Sequence, residues 1–362
     1  MDDLDDVRER IRMLDRRLVE TVAQRMEAAK QAGKAKRTGH RPIRDYDVER
    51  DVVERIRAGF QAADLDPLMG ERIARLLIAE ALRIQEKQGL QPGTGSQGDA
   101  LIVGGAGQMG AWFAHFLNGL GYQVTTSDPR GPLPGFPSTE EPRRAGEQSD
   151  LVILATPPDV TGEVLQGFQG VETLIFDIAS LKGPFQDTLV EMAKDHNITS
   201  VHPLWGPSAR VLSGKSVAIL DCGNEAATDQ ARELFNQTAA SVLKLPLHLH
   251  DRLMAYTLGL PHALNLVYAQ VLSTSGHAFS ELKLLGGPTF VKQNDVAAEV
   301  ARENPELYRQ IQVHNEDRER LYKALHEAID ALGERIQDEA AFKDAMLTYR
   351  DYLGDYHGGF PA

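Results

Sequence analysis

"ALIVGGAGQMGAWFAHFLNGLGYQVTTSDP", residues 100–129, decides the reading of the chain. An apolar run ends in Gly105-x-Gly107-x-x-Gly110, a helix-like stretch opens there, and a second strand-like run closes on Asp128. Glycines in such a loop allow a tight turn, close approach of backbone to a pyrophosphate, and contact of helix with strand. The helix then offers unpaired N–H groups and a positive dipole end to phosphate. An acid about 20 residues beyond the first glycines is where a ribose diol is held, and Asp128 fits that place. Its charge repels a 2′-phosphate, which favours NAD over NADP, although Arg130 nearby tempers that preference. The stretch predicts a Rossmann-type dinucleotide-binding domain with Gly105, Gly107, Gln108, Met109, Gly110 and Asp128 as cofactor-binding residues. A tight turn that binds nothing is the plainer reading, and the strand–loop–helix–strand context argues against it.

Further along, "LVILAT", "TLIFDIA" and "SVAILDC" are short strand-like runs separated by helical stretches, the pattern of a parallel α/β sheet. This domain is expected over 100–248. On its N-terminal side "GLQPGTGSQGD", residues 89–99, reads as a flexible linker. Before the linker, residues 3–37 read as one helix, with Leu4, Val7, Ile11, Leu14, Leu18, Val22, Met26 and Ala29 at steps of three and four. A periodic pattern that long calls for a partner helix, so an interlocked dimer is expected. A second helix follows "RPIRDYD", and a third starts at Asp66-Pro67, a cap residue followed by proline. These make a three-helix domain over 1–88. From 249 to 362 amphipathic helices such as "YKALHEAIDALGERI" replace the strands.

The totals exclude several function classes. The 362 residues allow two or three domains, and a net charge of −13 argues against nucleic acid or an anionic membrane as partner. One cysteine leaves no disulfide framework and no thiolate metal site. The start, "MDDLDDVRER", lacks the apolar stretch of a signal peptide, and no apolar run approaches membrane-spanning length. A soluble cytoplasmic protein is expected. "HLHD" at 248–251 has no third ligand cluster beside it, so it reads as structural and no metal is expected.

"VHPLWGP", residues 201–207, holds one histidine between an apolar run and two prolines. Proline fixes φ and removes a donor, so the segment reads as a rigid loop leaving the strand-like "NITSV". Such a loop either presents His202 for chemistry or uses it to cap a turn. In the first helix Arg25 and Lys36 lie eleven positions apart, about three turns, on one stripe beside the apolar face. Cations held there point to a bound dianion.

"RERIRMLDRRLVETVAQRMEAAKQAGKAK" with "HRPIRDYDVERDVVERI" resembles the all-helical chorismate mutases. "GGAGQMG", "DIASLKG", "VHPLWGP" and "LPHALN" resemble prephenate dehydrogenases, and the order is that of the fused family of tyrosine biosynthesis. The resemblance spans nearly the whole chain, to "LGDYHGGF". It implies a chorismate mutase that needs no cofactor and an NAD-dependent dehydrogenase that converts prephenate to 4-hydroxyphenylpyruvate. It also implies a homodimer through both helical regions, with small-molecule substrates as the other partners. For the mutase it implies that Arg8, reaching into the partner subunit's site, and Arg25 clamp the carboxylates. Lys36 and Gln85 would donate to the breaking ether oxygen, and Asp45 and Glu49 would lie near the ring hydroxyl. For the dehydrogenase it implies His202 as base, the Ser180 hydroxyl near it, and His262 on the substrate side. Asp177 and Lys182 would shape the loop, and the site would lie between the dinucleotide domain and the C-terminal helices.

Three positions depart from the family. Val48 stands where an arginine is usual, Ala81 where a small hydroxyl residue is common, and Glu299 where an arginine binds the ring carboxylate. Arg302 or Lys292 could take the place of the last. Otherwise Glu299 opens two further readings: a dehydrogenase for arogenate or an amino-substituted prephenate, or a degenerate NAD-binding regulatory protein.

Overall fold

The computed structural model describes residues 4–39, 41–89, 97–236 and 238–354. Residues 90–96 of the expected linker and most of "LGDYHGGF" lie outside the described residues. The chain divides into two compact units, one holding residues 4–179 and 187–245, the other residues 180–186 and 246–354. Among the described residues no helix is long and apolar enough to cross a membrane.

The first unit begins with three helices, α1 (Leu4–Thr38), α2 (Tyr46–Ala62) and α3 (Pro67–Gly89). Asp45 caps α2 by accepting Val48 N–H at 3.2 Å, and Asp66 accepts Leu68 N–H at 2.9 Å ahead of Pro67. Only Met26 and Gly33 of α1 are buried. Its first half carries Leu4, Ile11, Leu14 and Leu18 exposed, Leu18 to 63 %. That stripe is the apolar periodicity of the sequence, left uncovered within one chain.

The α/β part follows as β1 (Asp99–Val103), α4 (Gln108–Leu120), β2 (Gln123–Ser127), α5 (Pro142–Glu147), β3 (Leu151–Leu154), α6 (Pro158–Gln166) and β4 (Leu174–Asp177). It continues with α7 (Gln186–Ala193), β5 (Ile198–Pro203), β6 (Ser216–Asp221), α8 (Glu225–Asn236) and β7 (Ser241–Pro246). The seven strands lie in the order β2-β1-β3-β4-β5-β6-β7. Ile102, Ile153, Phe176, Val201 and Ile219 fill the sheet's core against Phe113, Leu117 and Phe235 of the flanking helices. Strands β1 to β5 are parallel, as the sequence predicts, but β5 and β6 run antiparallel. The segment between them, residues 204–215, carries no helix to cross over the sheet, so the chain returns directly.

A second correction concerns residues 201–207. Val201, His202 and Pro203 are not in a loop; they end β5, an interior strand, with His202 opposite Ala218 and Pro203 opposite Val217. Proline is accommodated because the pairing with β4 stops at Ser200 and the bond to β6 is made by Leu204 N–H, so no ladder bond needs an N–H at 203.

The second unit is helical: α9 (Leu247–Met254), a π-turn over Ala255–Gly259, then α10 (Leu260–Ser273), α11 (Phe279–Leu285) and α12 (Pro288–Arg302). It ends with α13 (Pro305–Val313), α14 (Arg318–Arg335) and α15 (Glu339–Leu353). Leu181, Met254 and Ile311 form a small core that ties the loop 180–186 to these helices.

Candidate active sites

A cavity of about 460 Å³ opens among the first three helices. Arg25 and Lys36 of α1, Asp45 and Glu49 at the start of α2, and Gln85 of α3 all line it. Arg25 donates to the Leu77 carbonyl at 2.9 Å, and Lys36 donates to the Ile43 carbonyl. Burial lowers the pKa of both, with Arg55 lowering that of Arg25 further and Asp45 and Glu49 partly restoring that of Lys36. Gln85 is buried with its Oε1 unpartnered. A Cβ on Gly33 would stand 2.7 Å from Gln85 Cγ, so only glycine lets α3 bring that amide against α1.

Arg44 grips Glu49 through Nε at 3.0 Å and Nη2 at 3.1 Å. Val48 and Ala81 also line the cavity. Arg8 does not: it lies on the uncovered half of α1, paired with Asp5 at 3.2 Å. Arg55 is the cation that sequence reasoning missed. It sits seven residues after Val48, two turns along α2 on one face, and that spacing was the available signal.

At the glycine loop the backbone is as tight as the motif requires. Gly104 has φ +86°, and a Cβ there would lie 2.5 Å from the Ala155 carbonyl oxygen. A Cβ on Gly110 would lie 2.1 Å from the Gly104 oxygen. Gly107 caps α4 without any side-chain bond, which leaves the first-turn N–H groups around Gln108 and Met109 available to an anion. Asp128 accepts Ala106 N–H at 3.0 Å, Arg130 N–H at 2.9 Å, and two guanidinium bonds from Arg130 at 3.0 and 2.9 Å. The Arg130 bonds foremost hold its carboxyl below the usual range. Glycines that exclude side chains, an uncapped helix start and a buried carboxylate fit a dinucleotide.

His202 is buried near the end of β5. The segment that follows is stapled to α4, because Trp112 Nε1 donates to the Ala209 carbonyl at 2.6 Å and packs on Trp205.

In the second unit Asp251 organises the loop that carries Ser180. Its carboxylate accepts the backbone N–H of Lys182, 2.9 Å from Oδ2, and of Gly183 at 2.8 Å, while His250 Nδ1 lies 2.6 Å from Oδ1. Burial pushes this carboxyl up, but His250 and the two N–H groups bring it below its ordinary value. "HLHD" is thus a clamp on "SLKG", a structural role with a consequence for the loop. Among the described residues no three metal-ligating side chains converge. His262 is buried against Tyr308, its Nδ1 has no hydrogen-bond partner, and burial lowers its pKa to about 4. Glu299, Lys292 and Arg302 are exposed on α12.

Comparison with known proteins agrees with this division. Residues 7–86 match the family model for chorismate mutase type II. Residues 136–244 match the prephenate dehydrogenase nucleotide-binding domain, and 247–347 match the prephenate dehydrogenase dimerization domain. The chain is 24% identical to the T-protein of Enterobacter agglomerans over 98% of its own length and 94% of that protein's. It is 27% identical to the 4-amino-4-deoxyprephenate dehydrogenase of Streptomyces pristinaespiralis over 72% of its length and 92% of the relative's. The crystal structure of Aquifex aeolicus prephenate dehydrogenase with hydroxyphenyl propionate and NAD+ shares the fold. That likeness has a TM-score of 0.56 at 20% identity, over 70% of this chain and 95% of the other.

Proposed function

The chain belongs to the family that fuses a chorismate mutase to a prephenate dehydrogenase, and we propose that both of its sites work on the ordinary substrates. It rearranges chorismate to prephenate and converts prephenate to 4-hydroxyphenylpyruvate and CO2 with NAD. The observation that carries this reading is the cavity lined by Arg25, Arg55 and Lys36, into which α3 brings the buried Gln85 with its Oε1 unpartnered.

The first reaction is a rearrangement that needs no nucleophile. Arg25 and Arg55 receive carboxylate charge, Arg55 standing in for the arginine absent at Val48. Lys36 and Gln85 donate to the ether oxygen as it gains charge, and Asp45 and Glu49 face the ring hydroxyl. Holding a compact conformer and stabilising that oxygen supply the rate. Arg8 serves the cavity of a second copy, so the working form is a homodimer.

For the second reaction the glycine loop Gly105–Gly110 and Asp128 would hold NAD, which when bound would supply the acceptor for the hydride of the carbinol carbon. His202 takes the hydroxyl proton. A reference pKa of about 6.5 makes imidazole a suitable base near neutrality. His262, neutral by burial, offers the substrate a hydrogen bond without charge. Asp128 supports NAD over NADP because its carboxylate already occupies Arg130 and would repel a 2′-phosphate.

A second reading, a dehydrogenase for an amino-substituted prephenate, is favoured by Glu299, whose charge suits an ammonium better than a carboxylate. The Streptomyces relative's activity points the same way. Purified chain is given chorismate or prephenate with NAD while reduced nicotinamide is followed by absorbance. Signal from both supports the first reading, and signal only with the amino analogue supports the second. His202→Asn is expected to lower NAD reduction by about 10²–10⁴-fold and to leave chorismate consumption intact. Persistent NAD reduction would remove His202 from its role.

A further inference from the structure

Among the hydrogen bonds that join the three-helix domain to the dinucleotide domain, three adjoin functional residues of the mutase cavity. The first is Arg44. Two of its guanidinium nitrogens clasp both oxygens of Glu49, and the third donates to Ser241 Oγ at the start of β7. The Tyr46 ring lies 4.7 Å from the guanidinium carbon, and Ser241 is 4 % exposed.

The second is Ile43. Its N–H donates to the Asn236 carbonyl at 3.1 Å and its side chain packs with Leu82 and Ala239, while its own carbonyl receives Lys36. The third is Glu86, next in sequence to Gln85. Both of its oxygens lie 2.9 Å from Leu212 N, and burial raises its pKa against the opposing bonds from Leu212, Ser213 and Ala239.

A glutamate near the start of a helix has several rotamers of similar energy. A planar guanidinium fork selects one of them, because two parallel bonds fix both distance and plane. Here the fork is itself held by a group from the other catalytic domain. We propose that Arg44 and Ser241 are positioning residues of the mutase site, so that the dinucleotide-binding domain is part of the scaffold for the first reaction. This inference rests on the mutase reading of the cavity.

The test uses the full chain. Ser241→Ala is expected to lower mutase kcat/KM roughly three- to tenfold, the loss of one buried hydrogen bond. NAD reduction with prephenate should change by less than about twofold. In a Glu49→Gln background Ser241→Ala should have no further effect on the mutase, because the two changes act through one carboxylate. An unchanged mutase rate in Ser241→Ala overturns the inference. So do losses that multiply in the double variant, or a parallel fall of both activities with the thermal midpoint. A wild-type chain inert towards chorismate would overturn the mutase reading as well, so the two failures are distinct.

Discussion

The rings of His262 and Tyr308 lie face to face, with centroids 4.0 Å apart and planes 17° from parallel. Stacking and burial leave the imidazole little water, and its pKa falls to about 4. Its ring is therefore expected to show no protonation between pH 5 and 8 by NMR, and an acid limb near neutrality belongs to another group. Linkage sets the sign for stability. Below about 6.5 the unfolded chain takes up a proton that the folded chain refuses. Stability is thus lost as pH falls from there towards 4, and denaturation of His262→Phe should show a shallower loss over that window. An equally steep loss would contradict the assignment.

Asp251 supplies the acceptor for two backbone N–H groups of the Ser180 loop. Asp251→Asn halves that acceptor capacity and turns an amide towards two donors. Destabilisation of about 2–4 kcal/mol is expected, as for other broken buried charged networks. Faster amide exchange at Lys182 and Gly183 and a lower dehydrogenase kcat should accompany it, with mutase activity retained. Because its folded pKa is depressed, the wild-type carboxylate stabilises above the unfolded value of about 3.9. That contribution fades as pH drops through the lower folded value. Unchanged exchange at those two amides would remove Asp251 as the clamp.

What was legible in the sequence was local. The glycine loop and the apolar stripe of α1 are set by spacing within a few turns, and both stand where they are expected. The position of His202 was not legible, because two prolines read as a loop although a strand can end on one. The antiparallel β6 was hidden for a related reason: the missing crossover helix is an absence between two apolar runs. Side-chain partners far apart in sequence left no pattern at all. Asp251 lies 69 residues from Lys182, and Arg44 lies 197 from Ser241. Arg55 falls between these cases, since its helical spacing from Val48 is visible but only the cavity shows that both face it.

Asp128 and Arg130 bear on cofactor choice together. If Asp128 holds the ribose, Asp128→Ala removes that acceptor and releases the guanidinium to meet a 2′-phosphate. The ratio of kcat/KM for NAD to that for NADP should fall by roughly tenfold or more, as a charge-assisted pair is exchanged. Adding Arg130→Ala should cancel the gain with NADP. A ratio that does not move would place the ribose elsewhere.

Arg8 and Arg25 lie on one helix but cannot serve one cavity. Seventeen residues of helix span about 25 Å at 1.5 Å each, and Arg8 stands where α1 is uncovered. If Arg8 acts, it acts on a second copy, and each cavity adds that one arginine to its own Arg25 and Arg55. Arg8→Ala and Arg25→Ala should each lose most of the mutase rate while NAD reduction with prephenate persists. Mixing the two variants and allowing subunits to exchange should recover about a quarter of the wild-type rate, since half the dimers are then mixed and one of their two cavities is intact. Charged substitutions at Leu14 and Leu18 should abolish that recovery by opening the apolar stripe. Full activity in Arg8→Ala, or no recovery on mixing despite exchange, would mean that the cavity is complete within a single chain.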